Sequence, residues 1–116
     1  MRKFSLEALG REHLERATTA STGRSASTVY GGHEQVLRQT LVALTATTWL
    51  AEHENPGEAT LIVLRGRVRL HAGHDTWEGR EGDLLVIPPA RHSLEALKDS
   101  VVLLTVAMTA TTDGKA

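Results

Sequence analysis

The chain contains no cysteine, which excludes disulfides, thiolate metal sites and a cysteine nucleophile, and agrees with a reducing compartment. Any metal ligand must therefore be nitrogen or oxygen. A surplus of positive charge is missing as well: thirteen Lys and Arg stand against fourteen Asp and Glu, for a formal net charge of -1. That balance lacks the basic footprint of a nucleic-acid binder. Long apolar runs are also lacking, since stretches such as 84–89 and 101–104 fall far short of the roughly 20 residues that span a bilayer. Ser5, Glu7, Gly10 and Arg11 interrupt the N-terminal region that a secretory signal keeps apolar. These absences point to a cytoplasmic protein with neither nucleic acid nor membrane as its partner.

What is present suffices for one folded domain. The 116 residues are 41% hydrophobic and 23% charged, near globular averages and away from the composition of disordered chains. At 5–17, Leu6, Leu9, His13, Leu14 and Ala17 share one side of a 3.6-residue period, with Ser5 as N-cap and Glu7 in the first turn. A short helix is expected there. Residues 18–28 are mostly Thr, Ser, Ala and Gly and read as a flexible connector. From residue 29 the pattern turns to short strands at 36–46, 49–54, 59–65, 67–72, 76–77, 83–87, 93–97 and 100–108, separated by turn residues such as Asn55-Pro56-Gly57, Gly66, Gly73-His74-Asp75 and Gly82-Asp83. With no helix between them, such strands build an antiparallel sandwich or barrel. The expected division is 1–28 helix and connector, 29–108 barrel, and 109–116 a frayed tail.

Two segments carry a family resemblance. His53-Glu-Asn-Pro-Gly-Glu-Ala-Thr-Leu-Ile-Val-Leu-Arg-Gly66 and Gly82-Asp-Leu-Leu-Val-Ile-Pro-Pro-Ala-Arg-His92 resemble the two motifs of the cupin superfamily, G-x5-H-x-H-x3–4-E-x6-G and G-x5-P-x-G-x2-H-x3-N. Gly66, Gly82 and Pro88 fall in place. The resemblance implies a small single-domain cupin: an all-β conical barrel, the double-stranded β-helix or jelly roll, with a short N-terminal helix outside it. It also implies a divalent-metal site inside the barrel, and there the sequence departs from the pattern. His53 matches the first histidine, but the second is Asn55, a weaker ligand, and the glutamate position is Ala59, which cannot ligate. Glu58 is adjacent, yet strand alternation turns it away unless a bulge re-aims it. His92 follows Pro88 at an offset of four rather than the usual five, so either the loop is one residue shorter and His92 faces inward, or Ser93 takes the ligand position. The shorter loop is favoured.

The metal candidates implied by the resemblance are thus His53, Asn55 and His92, for Zn²⁺, Mn²⁺, Fe²⁺, Ni²⁺ or Cu²⁺ held weakly or not at all. The competing reading makes the two histidines hydrogen-bonding residues of a vestigial pocket. His33 is a candidate third ligand, although Tyr30-Gly31-Gly32 before it reads as an exposed turn. The same segment lacks the lysine and following helix of a phosphate loop. His71 and His74 flank Ala72-Gly73 and, with Asp75, read as hairpin residues rather than a metal cluster. Arg65, Arg67 and Arg69 read as a solvated strand face. His92-Ser93 is no hydrolase dyad, because strand neighbours point to opposite faces. Of Arg38 and Gln39, alternation turns one inward, and an inward arginine binds an anionic ligand.

Two functions remain open at this stage. One is a small-molecule-binding cupin with a reduced metal site, acting as a sensor or accessory factor without catalysis. The alternative is a metal-dependent cupin enzyme of dioxygenase or isomerase type. A homodimer is expected in either case, because a domain this small buries only roughly 65% of its unfolded surface and pairing covers exposed strand edges.

Overall fold

The structure is a computed structural model that describes residues 1–32, 34–53 and 57–107, with residues 52 and 53 described by backbone alone. Helix α1 (Leu6–Thr19) starts where Ser5 caps it, the Ser5 hydroxyl accepting from the Ala8 amide at 3.1 Å. Glu7 in its first turn and Arg16 in its last complement the helix dipole. Nine strands follow: β1 (Arg24–Tyr30), β2 (Leu37–Leu44), β3 (Trp49–His53), β4 (Glu58–Arg65), β5 (Arg67–Ala72), β6 (Asp75–Arg80), β7 (Leu84–Ile87), β8 (His92–Ala96) and β9 (Ser100–Ala107). They form two antiparallel sheets, in the orders β1-β2-β9-β4-β7 and β3-β8-β5-β6. This is the two-sheet jelly roll that the resemblance implies.

Alternation along the strands sorts the apolar residues into two cores. Val42 and Leu44 of β2 point between the sheets with Leu61, Val63, Val68, Leu70, Leu94 and Val102. Leu41 and Ala43, on the other face of β2, pack outside the barrel with Leu14 and Ala17 of α1. Gly10 permits the close approach of helix and barrel wall, since a Cβ there would lie 3.0 Å from Val101 Cγ1. No helix among the described residues is long and apolar enough to cross a membrane.

The connector expected at 18–28 is partly wrong, because residues 24–28 belong to β1. The face of β1 turned to α1 presents Ser25 and Ser27 before Val29, so no apolar alternation marks the strand. Hydrogen bonding replaces it: His13 of α1, itself buried, contacts Ser25 Oγ through Nδ1 at 2.7 Å and Ser27 Oγ through Nε2 at 3.0 Å. A second correction concerns the arginine stripe. Gly66, at φ 87°, closes a turn that separates Arg65 at the end of β4 from Arg67 and Arg69 in the other sheet. The end of the strand expected at 49–54, Met108 and the tail 109–116 lie outside the described residues.

Candidate ligand site at the barrel mouth

At one end of the two sheets, termed the closed end, Leu44, Ala96 and Ser100 are fully buried; the opposite end, at Arg38, Ala59, Ile87 and His92, is termed the mouth. The chain reaches the mouth in β7, turns through Pro88 to Arg91 and returns in β8. Along β8, His92, Leu94 and Ala96 are buried while Ser93 and Glu95 lie on the outer face. His92 is only 3% exposed, so the loop is the shorter form and His92, not Ser93, faces the interior. Its Nδ1 lies 2.9 Å from the Ala90 carbonyl oxygen. A carbonyl only accepts, so Nδ1 carries the proton, and in the neutral ring Nε2 carries the lone pair. The turn is tied by a second bond, from the Ala90 amide to the Pro88 carbonyl at 2.8 Å.

His53 ends β3 directly opposite His92. Continued evenly from the pair Leu50–Leu94, the ladder would set residue 52 opposite His92; a register shift between Leu50 and His53 brings His53 there instead. The backbone therefore places two of the three candidate residues as cross-strand partners. Asn55 and His33 lie outside the described residues.

On the facing sheet one row of cross-strand partners crosses the mouth: Arg38 opposite Val106, Val106 opposite Ala59, and Ala59 opposite Ile87. Ala59 and Ile87 are each 5% exposed and belong to the interior core, with Val106 packed against it. Glu58 is exposed, and β4 pairs regularly with β9 through this region, the register shift falling only between Val63 and Arg65. No bulge re-aims Glu58. The choice between Arg38 and Gln39 is also decided. Arg38 shares the parity of Val42 and Leu44 and lies on the interior face. Gln39 shares that of Leu41 and donates to Thr105 Oγ1 at 3.3 Å on the outer face.

Among the described residues the donor set does not complete the divalent centre that the resemblance implies. Such a centre needs at least three protein ligands, and the position for its carboxylate holds a buried methyl group. Among the described residues no group of three or more His, Asp or Glu side chains converges.

The remaining candidates lie elsewhere. His71 is not a loose hairpin residue: it belongs to β5, stacks on Trp49 with ring centroids 4.8 Å apart, and its Nε2 lies 3.0 Å from Glu95 Oε1. Arg67 and Arg69 reach Glu78 at 3.2 and 2.8 Å, so this face is a network of opposite charges rather than a row of free cations. The Arg69 hydrogen bond, followed by that of Arg67, holds the Glu78 carboxyl below its usual range, and Glu78 in turn raises Arg69. Sequence reading missed this network because its members come from β3, β5, β6 and β8 and meet only once the sheet forms. A cleft of about 470 Å³ opens outside the barrel, lined by Leu6, Gly10, Leu64 and Val101 together with Glu7, Arg11, Arg65 and Glu81. It lies toward the closed end, and its charges balance.

A cupin-domain family model matches residues 40–108, more than half of the chain. No curated protein matches significantly. Among solved structures, a conserved protein of unknown function from Streptococcus pyogenes is 24% identical, with 78% of each chain covered and a TM-score of 0.69. A cupin superfamily protein from Desulfitobacterium hafniense is 13% identical, over 74% of this chain and 78% of that one, at TM-score 0.68. The DMSP lyase DddQ from Ruegeria pomeroyi is 18% identical, over 72% of this chain and 46% of that one, at TM-score 0.63. These likenesses concern the fold alone, and they include both an enzyme and proteins without an assigned activity. Together with the paired sheets and the two motif glycines at positive φ, the family match establishes that the chain belongs to the cupin domain family.

Proposed function

We propose that this chain is a cytoplasmic, small-molecule-binding cupin that acts as a sensor or accessory factor without catalysis, and that it holds a divalent metal weakly or not at all. The observation that carries the reading is the make-up of the mouth: a buried, inward His92 opposite a row whose carboxylate position is Ala59. Small-ligand sites combine an apolar wall with a few placed polar groups, and Val106, Ala59 and Ile87 with His92 offer that combination. The enzyme alternative, a dioxygenase or isomerase working through a bound metal, needs a third strong ligand, and Ala59 supplies none. Titration calorimetry with Zn²⁺ and Mn²⁺ separates the two. The Asn55→His, Ala59→Glu double variant restores the family's donor set and is expected to bind at least about tenfold tighter than the parent, by comparison with the 10–100-fold effects of changes around metal ligands. His92→Ala is expected to abolish whatever binding the parent shows. Tight stoichiometric binding by the parent, unimproved in the double variant, is the outcome that favours the enzyme.

The same proposal includes a homodimer. Its support is β7, an edge strand whose outer face presents Leu84 and Val86, 54% and 72% exposed. A second copy related by a two-fold axis covers this strip and satisfies the edge in one self-complementary contact. Light scattering is expected to give twice the 12.6 kDa chain mass for the parent and the monomer mass for Val86→Lys. A monomeric parent ends this part of the proposal.

A further inference from the structure

We infer that the ligand taken at the mouth is a small carboxylate and that Arg38 is the group that recognises it. The inference rests on the small-molecule reading above and adds the chemical class. The ladder between β2 and β9 is regular from the pair Leu37–Ala107 to the pair Leu44–Ser100, so parity carries from buried Val42 and Leu44 to Thr40 and Arg38 without a break. Arg38 is half-buried, and its neighbours along the row are Val106, Ala59 and Ile87, all apolar. Among the described residues its guanidinium has neither a hydrogen-bond nor an ion-pair partner. Arg67 and Arg69 on the outer face are tied to Glu78. A half-buried cation beside apolar cross-strand neighbours, with no acceptor among the described residues, is poorly compensated, and a ligand carboxylate supplies a bidentate acceptor of matching geometry.

The charge of the interior points the same way. Ala59 is neutral, while Glu58 and Glu95 lie on outer faces, so among the described residues the mouth row carries one positive charge and no negative one. That disfavours a metal cation and favours an anion. One guanidinium among methyl and methylene groups matches a single carboxylate with an apolar body. A phosphate brings nearly two charges and more acceptor oxygens than one cation satisfies.

Two-dimensional amide NMR of the full chain tests this, with straight-chain carboxylates from acetate to hexanoate, the corresponding primary amides, and inorganic phosphate as probes. The carboxylates are expected to shift the amides of Ala59, His92 and Val106. The neutral amides should bind about tenfold or more weakly, the usual loss when a charge-assisted hydrogen bond becomes a neutral one. Arg38→Gln should weaken carboxylate binding by a similar factor, Arg38→Lys by less, and Arg65→Gln, outside the barrel, should leave it unchanged. Equal binding of carboxylates and amides in the barrel overturns the inference and leaves the small-molecule reading standing. Interior shifts with phosphate alone overturn it as well, and interior silence with every probe overturns both. If Arg38→Gln does not fold, the carboxylate and amide series on the parent still decides.

Discussion

The two ends of the barrel are built from the same strands and differ in what those strands bury. β2 runs from exposed Leu37 through half-buried Arg38, Gln39 and Thr40 to Leu41–Leu44, all buried, and β9 runs the other way, from buried Ser100 to half-buried residues near Ala107. At the closed end Leu44, Val63, Val68, Ala96 and Val102 have no exposed surface. Even the polar residue there is accounted for: Ser100 is fully buried, its hydroxyl accepts from the Arg67 amide at 3.0 Å and lies 2.7 Å from the Lys98 carbonyl. At the mouth, Ala59 and Ile87 are buried while Arg38 and Val106 in the same row are only half-buried. One end of the sandwich is therefore packed throughout, and the other sets a half-buried cation and a buried imidazole beside the apolar side chains of Val106, Ala59 and Ile87.

Cavity-forming substitutions at equivalent inward positions of the two ends should separate these roles most strongly. Leu44→Ala removes a side chain with no exposed surface and is expected to cost about 2–5 kcal/mol. Val106→Ala, at a half-buried position of the mouth, is expected to cost about 1 kcal/mol, since fewer methyl groups leave a site that solvent already reaches. Denaturant unfolding measures both. Equal losses would mean that the mouth is as tightly packed as the closed end, and the division of labour would fail.

The legibility of the molecule follows the same division. Strands β2 through β9 were readable because their alternation is apolar against polar, as in Val68 and Leu70 between Arg67, Arg69 and His71. β1 was not, because Ser25 and Ser27 on its helix-facing side are held by His13 across a tertiary contact that no local pattern records. At the site, the resemblance left either His92 or Ser93 inward, with His92 favoured, and the alternating burial of β8 puts His92 on the inside. The pairing of His53 with His92 needed a register shift that a strict period-2 count does not contain. Arg38 was legible as one of two possibilities. Choosing it over Gln39 required knowing which face of β2 meets the helix and which meets the second sheet.

The smallest expected effect concerns a region that belongs to neither end, the charged outer face of the four-stranded sheet. Glu78 accepts hydrogen bonds from Arg69 and Arg67, which hold its carboxyl below the ordinary value of 4.5. A carboxyl whose folded pKa is depressed binds fewer protons folded than unfolded. Its contribution is therefore complete above the unfolded value and disappears as the pH falls through the folded one. Glu78→Gln should lower the melting temperature slightly near neutral pH, by an amount that shrinks with added salt because the pair faces solvent. The gap between variant and parent should close in acid below the ordinary carboxyl range. Carboxylate binding at the mouth should be untouched by this substitution, since Glu78 lies outside the barrel. A gap that persisted in acid, or one insensitive to salt, would show that Glu78 acts through packing instead, with the aliphatic stems of Arg67 and Arg69 as its partners.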